Sequence, residues 1–161
     1  MKHCMECGAK LELKYLEKEG MIPYCPVCRA FRFPVFNTAV SMIVMNPSQD
    51  KILLIQQYGR KDYILVAGYV NKGECAEDAV VREVKEEIGL TVSDLHFNKS
   101  LYYEKSNTLL LNFSCTANSD SLEGMTDEVD LATWFSFEEA RTNIRHGGPA
   151  HIFLEHFLEH L

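Results

Sequence analysis

Apolar residues recur along this chain in two rhythms, one of every second position and one of every third or fourth. Between Leu11 and Leu16 they alternate, with Leu11, Leu13 and Tyr15 set against Glu12 and Lys14 and with Leu16 following, as in one arm of a hairpin. TAVSMIVM (Thr38–Met45) and KILLIQQY (Lys51–Tyr58) read as buried strands, separated by a turn around Asn46–Asp50 that contains Pro and Ser. YILVAGYV follows. From Ala76 to Ile88 the rhythm changes to helical spacing, with Val81, Val84 and Ile88 on one face and Gly89 placed to end the helix. LHFNKSLYY and TLLLNFSCTA return to strand patterning. WFSFEEARTNI opens a second helical region, and PAHIFLEHFLEHL a third, with a stripe of Ile152, Leu154, Phe157, Leu158 and Leu161. Strands, a helix, more strands and C-terminal helices predict an α/β fold with a mixed sheet between helices.

Composition narrows the function classes. The chain has 161 residues and an apolar fraction of 47%, enough for one sizeable core with a small module attached. Its net charge is −7; the first 33 residues hold six Lys/Arg against four Asp/Glu, which leaves −9 for the remainder. An acidic body argues against a broad nucleic-acid face. Where such a body handles an anionic substrate, a divalent cation is expected between the two. No secretory signal is visible and no apolar run reaches the ~20 residues of a membrane span, so a cytoplasmic protein is expected.

Six cysteines without a signal point to metal or free thiols rather than disulfides. Cys4 and Cys7 form one C-x2-C pair and Cys25 and Cys28 another, with 17 residues between the pairs. This spacing predicts a zinc ribbon over residues 1–33, in which four thiolates close a structural Zn²⁺ site. A segment this short cannot bury a core of its own and needs such a staple. A redox pair fits poorly, because neither C-x2-C lies in a βαβ pattern. His3 is a competing ligand, and Cys115, in an apolar strand, reads as a core residue.

The densest chemistry lies between Gly68 and Leu90, in GYVNKGECAEDAVVREVKEEIGL. On a helix, Glu83, Glu86 and Glu87 stand at i, i+3 and i+4 and share a face. Three carboxylates there repel one another, and a hard cation such as Mg²⁺ would offset the repulsion. The segment matches the pattern G-x5-E-x7-R-E-U-x-E-E-x-G-U at every fixed position, and the chain is thereby identified as a member of the Nudix hydrolases. The resemblance implies an α/β/α sandwich over residues 34–161 and attack by water on a diphosphate. It implies that Glu83, Glu86 and Glu87 bind Mg²⁺ or Mn²⁺, and that Arg82 orients a box carboxylate. It implies that Glu74 lies near the metals or holds the loop, and that Gly68 and Gly89 permit tight backbone at the two ends. Glu128 is the candidate for a later acid, with Glu123 and Glu138 weaker ones. Cys75 occupies the N-cap position, where a thiol caps weakly.

A zinc ribbon followed by this box resembles the NADH pyrophosphatase group, which implies hydrolysis of NAD(H) to AMP and nicotinamide mononucleotide by a homodimer. That group's motif S-Q-P-W-P-F-P-x-S corresponds here to SLYYEKSNT (Ser100–Thr108), which keeps only the first Ser. Tyr102 and Tyr103 are candidates to stack on a base, and strand alternation allows one of them at most. ADP-ribose, nucleotide sugars and triphosphates stay open as substrates. Two further functions stay open: a nucleotide-sensing regulator without turnover, and removal of an NAD-type cap from RNA.

Overall fold

The computed structural model describes residues 2–161. The chain separates into two compact units, Met1–Phe36 and Asn37–Leu161. In the first, β1 (Glu12–Leu16), β2 (Gly20–Cys25) and β3 (Ala30–Phe31) form an antiparallel sheet in that order. Among the described residues of this unit only Cys4 and Cys25 are buried. Leu13, Tyr15 and Met21 stay exposed, so the centre of the unit is made of thiols rather than packed hydrocarbon.

The second unit is built on a six-stranded mixed sheet. Its strands are β4 (Asn37–Met45), β5 (Lys51–Gln56), β6 (Val66–Tyr69), β7 (Val92–Tyr103), β8 (Thr108–Ala117) and β9 (Leu131–Ser136). The order is β7-β8-β4-β5-β9, with β6 also paired to β4; β4 and β8 run parallel and the other pairs antiparallel. Alternation along the strands sorts the core into two layers. Val40, Met42, Val44, Leu53, Ile55 and Val66 pack with helix α1 (Ala76–Ile88). Ile43, Ile52 and Leu54 pack on the other face with α2 (Phe137–Asn143) and α3 (Pro149–Leu158). The result is an α/β/α sandwich.

Helix α1 begins at Cys75, whose side chain makes no capping bond. A missing cap costs about 1 kcal/mol. Burial of Val84 and Ile88, both fully inaccessible, contributes roughly 1.5–3 kcal/mol each and outweighs it. The buried stripe is Ala79, Val80, Val84, Glu87 and Ile88. Val81, expected inside, is 40% exposed, because the i, i+4, i+8 row runs through Val80 instead. Gly89 ends the helix in the left-handed region at φ 78°.

Two other expectations change. Trp134–Ser136 belong to strand β9 rather than to a helix, since Phe135 and Trp134 face Ile52 and Leu53 across an antiparallel ladder. The helix starts one residue later, at a capping box in which Ser136 and Glu139 bond reciprocally. On α3 the buried positions are Phe153 and Leu154, whereas Ile152 is exposed, and Leu161 lies beyond the helix end and is exposed as well. No helix of the described residues is long and apolar enough to cross a membrane.

A Cβ on Gly89 would collide with the backbone of Gly124, besides straining the left-handed conformation. Gly73, also at positive φ, faces open space. Gly89→Ala should therefore destabilise this unit by about 2–4 kcal/mol and Gly73→Ala by only about 1 kcal/mol, measured by urea unfolding.

Candidate active site

The turn before α1 is held by its own polar groups. Asn71 N donates to Glu74 Oε2 at 2.9 Å, and Glu74 N donates back to the Asn71 carbonyl at 3.1 Å. Arg82, nearly two turns into the helix, then spends every guanidinium N–H. Its Nε donates to Glu74 Oε1 at 2.7 Å, and one terminal nitrogen to Glu74 Oε2 and the Tyr69 carbonyl at 2.9 Å each. The other nitrogen bonds Glu83 Oε1 at 2.8 Å and Glu86 Oε2 at 2.9 Å. One cation thus ties the loop, the end of β6 and two helix carboxylates together. Its bonds to Glu74 hold that carboxyl down at about 2. Glu74, a candidate metal ligand in the sequence, has both oxygens engaged here and serves as the loop's brace.

Glu83 lies over Gly68. A Cβ at Gly68 would overlap the Glu83 carboxylate, so the bare strand position makes the room the acid occupies. Glu86 is more than half exposed. Glu87 is the reverse: only 5% accessible, within the apolar stripe of α1. Gln57 donates to its Oε1 at 2.9 Å, while Oε2 is buried and has no hydrogen-bond partner. Burial pushes the Glu87 carboxyl up to about 7, with the charges of Glu83, Glu128 and Glu86 adding to the rise. Gln57 escaped the sequence reading; its signal was an amide at the end of an apolar strand, buried where a polar side chain needs a partner.

Glu128 reaches this cluster because its loop is tied to the C-terminal end of α1. Thr126 N donates to the Glu87 carbonyl at 3.1 Å, Gly124 packs against Gly89, and Asp130 N bonds the Gln56 carbonyl at 2.9 Å. Glu123 precedes Gly124 in that loop. Glu138 does not belong to the cluster, since it sits on α2, across the sheet from α1.

The two tyrosines part as alternation requires. Tyr103 lines a cavity of about 210 Å³ with Ala39, Gly68, Tyr69, Ser106 and Thr108. Tyr102 is not among its walls; it is half exposed and donates its hydroxyl to Asn107 Oδ1 at 2.7 Å. Ala39 and Tyr69 pair across β4 and β6 on the face away from α1, and Gly68, against which Glu83 lies, is also in the cavity wall.

In the first unit the Sγ atoms of Cys4, Cys7, Cys25 and Cys28 all lie within 4.8 Å of one another. The Cys4–Cys28 and Cys7–Cys25 separations are 3.9 and 3.5 Å. A tetrahedral ZnS₄ centre with 2.3 Å bonds needs about 3.8 Å between sulfurs, so the cluster can hold a zinc ion. The carboxylates of α1 form no comparably tight group among the described residues, since Arg82 occupies Glu83 and Glu86. Arg32 Nε donates to Cys4 Sγ at 3.3 Å and lowers that thiol to about 6, while crowding by the neighbouring thiols raises Cys28 to about 12. His3 is not in the group.

The model of the NUDIX domain matches residues 35–157. The chain belongs to the Nudix family. The NAD-capped RNA hydrolase NudC of Pseudomonas aeruginosa is 31% identical over 139 residues, covering 85% of this chain and 48% of that protein. NudC of Vibrio cholerae is 27% identical over 160 residues, covering 98% of this chain and 58% of its own length. The chain thus spans about half the length of the curated relatives it matches. Among solved structures, a Nudix hydrolase from Nitrosomonas europaea superposes with a TM-score of 0.68 at 18% identity, over 98% of this chain and 88% of that one. The Nudix domain of Shewanella oneidensis NrtR, complexed with ADP ribose, gives 0.66 at 14% identity, over 85% and 93%.

Two outcomes follow for this Nudix chain. Glu87 keeps its proton in the fold up to about 7 but loses it near 4.5 when unfolded, so its contribution to stability falls as pH rises through that window. Without added magnesium, the melting temperature of the second unit should drop from about pH 5 to about pH 8, and Glu87→Gln should flatten that drop. Separately, Cys25→Ser should unfold the first unit, read as loss of dispersed amide resonances from Glu12–Cys25, while those of α1 persist.

Proposed function

We propose that this protein is a metal-dependent diphosphatase that cleaves the diphosphate of a nucleoside diphosphate derivative, with NAD(H) as the leading substrate. The observation that carries this reading is the buried Glu87 Oε2 without a donor, beside Glu83, Glu86 and Glu128. A buried carboxylate oxygen with acids around it is a site for a cation, and oxygen donors of this kind suit Mg²⁺ or Mn²⁺. Glu83, Glu86 and Glu87 would hold the ions. Bound there, such ions neutralise the diphosphate and acidify water.

The chain's own groups do the rest. Arg82 positions Glu83 and Glu86 and keeps Glu74 from competing for the metal. Glu128, on a loop pinned to the helix end, accepts the proton of the attacking water. Tyr103 forms a wall of the substrate cavity. The Cys4, Cys7, Cys25, Cys28 centre is structural, with no open ligand position. The curated relatives named for hydrolysis of NAD-capped RNA support a dinucleotide or its RNA-linked form as substrate. A homodimer is proposed on the resemblance already described.

The test is a screen of NADH, NAD⁺, ADP-ribose, nucleotide sugars and triphosphates with Mg²⁺ and Mn²⁺, with products identified by mass. Hydrolysis of at least one diphosphate is expected, and Glu86→Gln and Glu87→Gln should each lower kcat at least ~100-fold with the fold retained. Near wild-type turnover by either variant would remove the metal-helix argument. Nucleotide binding without turnover by the wild type would make the chain a sensor instead.

A further inference from the structure

The region after residue 33 carries nine more acids than bases, yet the charged side chains lining one cavity in it, Lys105 and Arg145, are both basic. It has a volume of about 300 Å³ and lies where the chain enters α3. Lys105, Arg145 and His146 stand around it, and no carboxylate is among its walls. Lys105 has no acidic partner within 4.0 Å among the described residues, and Arg145 meets only Asp62, at 3.9 Å on the surface. The His146 and His151 rings lie 4.4 Å apart between centroids, tilted by 44°.

The backbone holds these groups in place. Ile144 is buried, and Arg145 N donates to the Tyr63 carbonyl at 2.8 Å, so the stem of the cationic segment is fixed. Gly147 turns at φ 77°, Gly148 caps α3 without a side chain, and no acid lies in the first helical turn. The positive end of that helix therefore adds to the side-chain charges rather than being neutralised by them. Tyr103 is a wall of this cavity and also of the one bordered by Gly68 and Tyr69. One shared side chain thus links the cationic cavity to the end of β6, beside the carboxylate helix.

We propose that this cavity binds a phosphomonoester on a ribose of the substrate, remote from the diphosphate that is cut. The substrate class is then a dinucleotide carrying an additional 2′- or 3′-phosphate, a refinement that rests on the diphosphatase reading above. Arg145 offers a fork of donors that matches a phosphate, and Lys105 a compact second charge. A dianion answers two cations better than a neutral ribose hydroxyl does. The cavity's volume of about 300 Å³ accommodates one phosphate and part of a sugar.

The experiment compares NADH with NADPH, which differ by one 2′-phosphate, in steady-state turnover with Mg²⁺. The wild type should favour NADPH by about tenfold or more in kcat/KM, chiefly through KM. Lys105→Ala and Arg145→Ala should erase that preference while leaving kcat for NADH unchanged. In parallel, calorimetry measures AMP, adenosine 2′,5′-bisphosphate and adenosine 3′,5′-bisphosphate against the same three proteins. Tighter binding of either bisphosphate than of AMP, lost in the variants, supports the cavity even if no dinucleotide is hydrolysed, in which case the diphosphatase reading alone fails. Equal treatment of NADH and NADPH together with equal binding of AMP and both bisphosphates overturns the proposal. So does a Lys105- and Arg145-dependent preference for NAD-capped RNA with no bisphosphate preference, which would assign the cavity to an internucleotide phosphodiester.

Discussion

Like charges forced onto one face of a helix are the constraint around which this structure is arranged. Glu83, Glu86 and Glu87 repel one another, and among the described residues Arg82 is the cation that pairs with Glu83 and Glu86. Because Arg82 also grips Glu74 and the Tyr69 carbonyl, the repulsion is converted into a brace between loop, strand end and helix. The brace stops short of Glu87, which has Gln57 on one oxygen and nothing on the other. That imbalance is the electrostatic gap an incoming divalent ion would fill, and it exists because Glu87 occupies a core-facing position that a leucine could otherwise take.

Two glycines set the geometry of this arrangement more tightly than the acids do. Gly68 leaves the volume into which the Glu83 carboxylate fits, and Gly89 lets the loop of Gly124 lie against the end of α1. The second contact draws Glu128 toward Glu87 through the hydrogen bond from Thr126. A loop acid far along the chain thereby acts on a helix acid, although neither sits on the same element.

Much of this was legible from residue types and spacing. Ala76–Ile88 showed its helical period, and Gly89 its stop, because a long amphipathic element with a left-handed terminus writes both signals locally. The alternation of Tyr102 and Tyr103 told that only one could face a cavity, but not which one, since strand polarity relative to the core depends on the β7–β8 register. Trp134–Ser136 read as helix because the aromatic run abuts FEEARTN; the S-x-x-E box at Ser136 and Glu139 was the local sign of the true start. Gln57 and the burial of Glu87 were out of reach, for they arise from the packing of β5 beneath α1. The cationic cavity was likewise invisible, because Lys105 and Arg145 are 40 positions apart and meet only through the fold.

The parallel pairing at the sheet's centre governs how the larger unit can be assembled. Asn37 lies opposite Thr108 and Met45 opposite Thr116, a constant offset of 71 residues along the whole ladder. Closing so large a loop carries an entropic cost that local contacts cannot offset early. On a ribosome, β4 must therefore wait with one edge bare until β8 has emerged, and β5 must wait longer still for β9. The nascent chain thus exposes its most apolar strands longest, and its helix, uncapped and held by the burial of Val84 and Ile88, gains its stability only once the sheet beneath it has closed.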